Sequence, residues 1–242
     1  MSGFMGAGDV FVRRTNDDGT QGPWLKMGNV PVFSIQPQGK TVSRVSTSYE
    51  TYGQVLGSVG LPEPSKLIIS SDELNPVNVG LALQGIVETI AASAGSDTET
   101  ITVAMGDMVK LKHQDVSSVE IIGNHVEGKD YRLFAGAGML EILPSGNIAD
   151  GTSISVAYDY GTKAGYRILG SRVASITAEI MLDGRNLETG ESVVVTIDKA
   201  ILQSKKEMPF ISGDQKFVTM QLEGQMQTLP SKKEPFTVTV RG

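Results

Sequence analysis

Cysteine is absent from all 242 residues. Disulfides and thiolate metal centres are therefore excluded outright. Histidine is nearly absent too. His113 and His125 are the only two, and a zinc site built on them needs a third ligand at a recognisable spacing, which the sequence does not display. Both read as surface or loop histidines. A surplus of positive charge is also missing: 21 Lys and Arg stand against 27 Asp and Glu, a net charge of −6. That disfavours a protein that grips nucleic-acid phosphates, because such a grip takes clustered cations. No apolar run is long and unbroken. The most apolar stretch, Val77 to Ala94, is interrupted by Asn78, Gln84, Glu88, Thr89 and Ser93, so it fails as a membrane span of about 20 apolar residues. The opening "MSGFMGAGDVFVRR" lacks a basic segment followed by an apolar run and does not read as a secretory signal. The expectation is a soluble protein that stays in the cytoplasm where it is made.

What is present leans toward β structure. Glycine occurs 28 times, with many Val, Ile and Thr, a composition of strands and frequent turns. A chain of this length buries roughly three quarters of its unfolded surface, enough for a core without staples. "DVFVRR" reads as a short strand before the turn signals "NDDG" and "QGP", and "NVPVFSIQP" as an edge strand marked by Pro31. Residues 38–64, "QGKTVSRVSTSYETYGQVLGSVGLPEP", show little periodicity and read as a long loop, of the kind that is usually functional or poorly ordered. "SKLIISSDE" follows as a strand. Asn75 to Ala92 predicts the one helix, with Asn75 as N-cap, Pro76 in the first turn, and Val79, Leu83, Ile86, Val87 and Ile90 along one face.

After a polar linker at residues 94–100 the texture changes to short strands separated by Gly, Asp and Asn. Turn signals every 8 to 12 residues or so suggest a small β-sandwich-like module, taken as residues 96–163, with "KAGYR" as a second linker. The domain organisation expected is therefore 1–95 with 164–242 as one discontinuous domain, and 96–163 inserted. The last third returns to long strands: Ser171 to Leu182 turning at "DGRN", then Glu191 to Ser204, Gln215 to Gln227 and the closing "FTVTVRG". In the first, Ala174, Ile176, Ala178 and Ile180 oppose Ser175, Thr177 and Glu179. In the third, Val218, Met220 and Leu222 oppose Thr219, Gln221 and Glu223. This is the period-2 pattern of a sheet with one buried and one wet face.

Chemistry-bearing motifs are hard to find. "FAGAGMLE" places Gly136 and Gly138 two apart, and Gly6 and Gly8 repeat the "GAG". A dinucleotide loop needs a third glycine and a following helix. Here Glu141 and Phe11 stand in the third-glycine place and strands follow, so both copies read as turns or bulges. Adjacent acids, Asp17 with Asp18 and Asp72 with Glu73, sit at turns, and Asp159 stands between Tyr158 and Tyr160. No G-x-S-x-G context exposes a serine. "SKKE", at Ser204 to Glu207 and Ser231 to Glu234, could form a phosphate-binding patch, but a Lys-Lys pair by a turn is more often a solubility feature or an edge-strand guard; the ten methionines read as core filler. No catalytic, metal or cofactor site is assigned, and the expectation is not an enzyme.

Five features in order carry a resemblance. They are "GAGDVFVRR…GPWLKMGNVPVFSI"; the stretch "GKTVSRVSTSYETYGQVLGSVGLPEP"; "LIISSDELNPVNVGLALQG"; the inserted "GKDYRLFAGAGMLEILPSGNIADGTSISVAYDY"; and "GDQKFVTMQLEGQM" with the C-terminal strands. In this order the chain resembles the tail tube (major tail) proteins of long-tailed, siphovirus-like bacteriophages. The resemblance implies a mainly β, barrel-forming β-sandwich domain with one flanking helix and an inserted small β module. It implies a structural virion protein of the phage tail, assembled in the host bacterial cytoplasm. Its subunits form hexameric rings that stack into a tube, enclosing the tape measure protein and meeting tail-end proteins. DNA passes through the lumen without specific binding during ejection. On that footing, Ser175, Thr177, Glu179, Thr219, Gln221 and Glu223 are lumen-facing candidates, and Arg44, Tyr49 and Tyr52 are candidates for contacts between rings. A capsid decoration protein, a secretion-machine tube and an extracellular β-sandwich binding module are the alternative readings. The last is weakened by the 6 % aromatic content and the single tryptophan, Trp24.

Overall fold

The computed structural model describes residues 3–16, 18–211, 213 and 217–242. Asp17, and the expected strand start at Gln215 and Lys216, lie outside the described residues. In chain order the elements are β1 (Gly6–Arg14), β2 (Leu25–Lys26), β3 (Val32–Val45), β4 (Val55–Ser71), α1 (Pro76–Ala82), β5 (Ile86–Ile90), β6 (Ser93–Val103), β7 (Met108–Lys110), β8 (Val116–Ile121), β9 (Tyr131–Phe134), β10 (Met139–Ile142), β11 (Thr152–Thr162), β12 (Gly165–Leu169), β13 (Ile176–Asn186), β14 (Ser192–Ser204), β15 (Met220–Met226) and β16 (Thr237–Arg241). Among the described residues the fold is mainly β, with antiparallel sheets and one α-helix. The chain divides into two compact units, one of residues 1–87 with 168–242 and one of 88–167.

The first unit holds an eight-stranded sheet in the order β2-β1-β13-β14-β15-β4-β3, with β16 also paired to β14. Its inner face is built by alternation. Val10 and Val12, Ile176, Ala178 and Ile180, Val195 and Ile197, Leu222 and Met226, and Leu67 and Ile69 are all buried in one core. A bulge in β14 opposite β13, between Ala178 and Ile180, lets Ala200 and Leu202 rejoin the same face. Leu81 of α1 and Met27 cover this core.

Several elements differ from their sequence expectation. The helix ends at Ala82 rather than Ala92. Asn75 does cap it, accepting from the Asn78 amide, but Gln84 turns the chain at a positive φ of 49°. Gly85 then lies against Ile168 and the Leu169 carbonyl, where a side chain would collide. Ile86 and Val87 therefore belong to strand β5, which pairs with β12. Val218, expected in the core, precedes its strand and is only partly buried. The "DGRN" turn is also corrected: β13 runs on through Asn186 because Asp183, Gly184 and Arg185 pair with both β1 and β14. Gly8 faces Gly184 there, and a Cβ on Gly8 would lie 2.5 Å from the Gly184 Cα. The first "GAG" is thus a close strand contact.

The largest correction concerns residues 38–64. They are no loop: β3 and β4 pair from Val32↔Ser70 out to Val45↔Val55 as one long hairpin. Periodicity failed to show it because its outer half has no buried face. From Gln38 to Val45 and from Val55 to Glu63 only partial burial of Gln38 interrupts continuous exposure.

The second unit packs two three-stranded sheets, β7-β10-β9 and β6-β11-β8, around one core that includes Val103, Ile121, Tyr131, Leu140, Ile142, Ile154 and Val156. It begins and ends outside 96–163 because both expected linkers contain strand. The polar run at 94–100 lies in β6, paired along its length with β11, and "KAGYR" enters β12 at Gly165. The second "GAG" is a single 3-10 turn closed by Gly138 in the left-handed conformation, φ 64°. A Cβ there would sit 2.0 Å from the His113 carbonyl oxygen, so this glycine serves a tight turn.

Candidate functional site: an open sheet face and a hairpin arm

The outer face of the large sheet gathers residues that are far apart in sequence. Strand alternation and register place Arg13 opposite Glu179, Thr177 opposite Ile201, Gln203 opposite Glu223, Gln221 opposite Ser70 and Gln225 opposite Lys66. The four strand residues among the lumen-facing candidates, Thr177, Glu179, Gln221 and Glu223, therefore share one face of one sheet. Ser175 and Thr219 stand immediately before β13 and β15. Ser175, Thr177 and Glu179 line an open cleft with Arg14, Asp198 and Lys199. Glu223 lines a second with Lys66, Gln203 and Gln225.

The charges on this face come in pairs. Arg13 bonds Glu179 through Nε and Nη2, and its guanidinium lies 4.8 Å from the Trp24 ring centroid. Lys66 Nζ is 2.8 Å from Glu223 Oε2. Lys232 Nζ bonds Asp198 at 2.7 Å, and that hydrogen bond raises the lysine pKa above its ordinary value. The Arg13, Glu179, Lys66 and Glu223 set has no net charge. Cross-strand pairs of this kind on a wet face contribute only fractions of a kcal/mol to stability, so the face is chemically mild: hydroxyls, amides and neutralised charges.

The hairpin arm is different. β15 pairs with β4 only from Lys66 to Ser71, so beyond that point β3 and β4 have only each other among the described residues. The arm carries Val42 opposite Val59 and Lys40 opposite Leu61, all exposed. Its tip is organised by Ser46. The Ser46 hydroxyl meets Thr51 Oγ1 at 2.7 Å and accepts from the Ser48 amide, while its backbone amide donates to the Gln54 carbonyl. Tyr49 and Tyr52 stand out from this turn with relative exposures of 99 % and 77 %. Arg44 lies on the ladder opposite Gly57. The three arm candidates thus share the outer end of the hairpin, although the sequence pattern suggests a loop.

Both histidines lie in the second unit, and neither is a fully exposed loop residue: their side chains are 27 % and 17 % exposed. Among the described residues of this unit the buried carboxylate is Asp130. It accepts from the Val126 and Asn147 amides, at 2.7 Å each. Those backbone bonds hold its pKa below the ordinary carboxylate value. Sequence reasoning missed Asp130, whose only signal was its place in the turn-rich stretch "EGKDY".

Among the described residues no helix is long and apolar enough to cross a membrane. Compared with protein-family models, residues 3–236 match the family described as "Protein of unknown function UCP028589", and the chain belongs to that family. A comparison with curated proteins finds no match.

Proposed function

We propose that this member of the family is a structural protein that polymerises through its sheet edges and hairpin arm, as the tail tube protein of a long-tailed bacteriophage. Subunits join side by side into rings, hexameric by the resemblance, and the rings stack into a tube. The tube encloses the tape measure protein and later conducts DNA. Its place is the virion, with tail-end proteins as partners at its ends.

The observation that carries this reading is the arm. A two-stranded hairpin on its own is marginally stable in water, and one that exposes unpaired edges and apolar side chains invites strand addition or packing. An arm of this length is explained if a neighbouring subunit covers it. The sheet itself is open, with β2 and β3 at its ends, and head-to-tail joining of such ends closes into a ring when the rotation allows. The paired charges on the outer face support a conduit. DNA carries one charge per about 1.7 Å of axis, so a lining without net positive charge lets it slide.

Negative-stain electron microscopy of the purified chain across concentration tests the proposal. Hollow tubes, or rings with a central pore, are expected. A monodisperse monomer at every concentration would overturn it. Deleting residues 41–60 separates the arm from the rest of the idea: tubes of unchanged yield would show that the arm does not join subunits.

A further inference from the structure

The second unit holds a cluster that the polymerisation reading does not use. Asp97 and Glu99 are two apart on β6, so their side chains leave the same face. That face is the inner one, since Ile101 and Val103 continue it into the core. Two carboxylates facing inward side by side repel each other unless a cation stands between them. His113 enters the same space from the segment after β7. Its Nδ1 lies 3.6 Å from Asp97 Oδ2 and 3.1 Å from the Tyr158 hydroxyl. Tyr158 is paired across from Asp97 and donates to Glu99 Oε1, which also accepts from the Lys112 amide. One ligand atom from each of Asp97, Glu99 and His113 lies within 4.8 Å of the others.

We propose that Asp97, Glu99 and His113 bind a divalent first-row transition ion, zinc above all. Zinc bonds imidazole nitrogen and carboxylate oxygen at about 2.0–2.2 Å, and tetrahedral geometry then sets ligand atoms about 3.3–3.6 Å apart. The Asp97–His113 separation, 3.6 Å, already has that value, and a Glu99 carboxylate oxygen lies within 4.8 Å of both. The imidazole is already held in place, its ring stacked on Tyr160 with centroids 3.8 Å apart and planes 1° from parallel. Two carboxylates and a neutral imidazole carry two negative charges, which the ion neutralises. The mixture of imidazole and carboxylate favours a transition ion over calcium or magnesium, which take oxygen ligands.

The present occupant of the carboxylate field is Lys112, whose Nζ is 3.3 Å from Asp97 Oδ2. Its side chain is 69 % exposed, so it swings away freely. With the Tyr158 hydrogen spent on Glu99, His113 Nδ1–H is the donor to the Tyr158 oxygen; coordination through Nδ1 gives up that bond, moves the imidazole proton to Nε2 and keeps the Tyr158 hydroxyl donating to Glu99. The fourth position is open to water. Spacing of 97, 99 and 113 matches no sequence pattern, because β6 and the segment after β7 meet only through the fold.

The test is calorimetric titration of the full chain, freed of metal by chelator, with zinc, cobalt and calcium chlorides. One zinc per chain is expected, with calcium at least about tenfold weaker. Cobalt should give the visible absorption of a tetrahedral site. His113→Gln and Asp97→Asn should each lower zinc affinity about 10-fold or more, whereas Lys112→Ala should raise it. Circular dichroism of each variant confirms folding, and Lys112→Ala supplies a gain that misfolding cannot mimic. Absence of stoichiometric zinc binding would overturn the proposal. So would equal affinity in His113→Gln, or binding of calcium as tight as zinc, since either means a carboxylate patch without the imidazole. None of these outcomes depends on whether the chain forms tubes.

Discussion

Replacing Val42 and Val59 together by serine separates folding from assembly. The two residues face each other across the outer hairpin, and their relative exposures are 49 % and 63 %. Complete burial of a valine side chain is worth about 1.5–3 kcal/mol. Roughly half of each side chain remains to be covered, so a covering subunit gains about 1 kcal/mol from each. Removing both weakens each arm contact by about 2 kcal/mol, or about 30-fold in the association constant. Folding should barely respond. Both residues are exposed and neither is part of the large core, and exposed substitutions of this kind stay within about 0.5 kcal/mol. The critical concentration for tube formation, read by sedimentation, is expected to rise about 30-fold while the urea midpoint of the dissociated chain stays in place. An unchanged critical concentration would refute the reasoning, because it would mean that nothing covers this face of the arm. A large fall in the urea midpoint would refute the premise that the arm is energetically separate from the core.

Three further outcomes follow from particular contacts. Asn78 is buried, and the two hydrogens of its Nδ2 are shared among three acceptors, the Met27 carbonyl at 2.7 Å and Ser71 Oγ and the Glu73 carbonyl at 2.9 Å. Asn78→Ala removes a buried donor and leaves these acceptors to their other partners, the Asn75 Nδ2, the Glu73 amide and the Asn75 amide; it should cost about 1–3 kcal/mol, read as a lower urea midpoint, and a midpoint equal to that of the unsubstituted chain would count against the network. Asp130, ionised and bonded to the Val126 and Asn147 amides, has its pKa lowered from 3.8. It therefore stabilises the second unit above that value and stops doing so as pH falls below it through the lowered pKa. Protection of the β9 and β10 amides, exchange measured relative to the intrinsic rate at each pH, should fall at acid pH in the unsubstituted chain, and Asp130→Asn should flatten that dependence. Reversing Glu179 and Glu223 to lysine converts a face without net charge into one carrying four positive charges among Arg13, Lys66 and the new residues. Tubes of E179K/E223K are expected to retain double-stranded DNA with an affinity that falls steeply with salt. Retention equal to that of unsubstituted tubes would place this face away from the conduit.

The alternation in "ITAEI" and "MQLE" sufficed to identify β13, β15 and their wet faces, because one side of each strand is buried and hydrophobicity then has a period of two; it was carried too far back, to Ala174, which is exposed, and Val218, which is only partly buried. Ile176, Ala178, Ile180 and Leu222 are in the core as that pattern required. The same rule made the arm illegible. Where both faces of a hairpin meet solvent, composition is free to be Ser, Thr and Gly, and no period remains to be read. β6 escaped for a related reason: its alternating partner to the core residues is a set of polar groups, Asp97 and Glu99, satisfied by Tyr158, Lys112 and the Thr98 amide. The helix was overextended because Val79, Leu83, Ile86 and Val87 keep helical spacing across Gln84, whereas the chain turns at the positive φ of that residue.

Two of the stretches that defeated periodicity, the outer arm and the polar half of β6, also carry the functional proposals. A strand whose pattern lacks an apolar side has no core of its own to stabilise it. For the outer arm, order is expected from a partner that covers Val42, Val59 and Leu61, whereas the polar half of β6 is held by its pairing with β11 and the proposed ion would take the place of Lys112 beside Asp97 and Glu99. Each case makes the same kind of demand on experiment. Coverage of the arm should slow exchange of the Thr41, Ser43 and Arg44 amides in tubes relative to free subunits, since a lone ribbon opens readily. Exchange that is equally slow in the free subunit would mean that the ribbon is stable by itself, and the partner would no longer be needed to explain it.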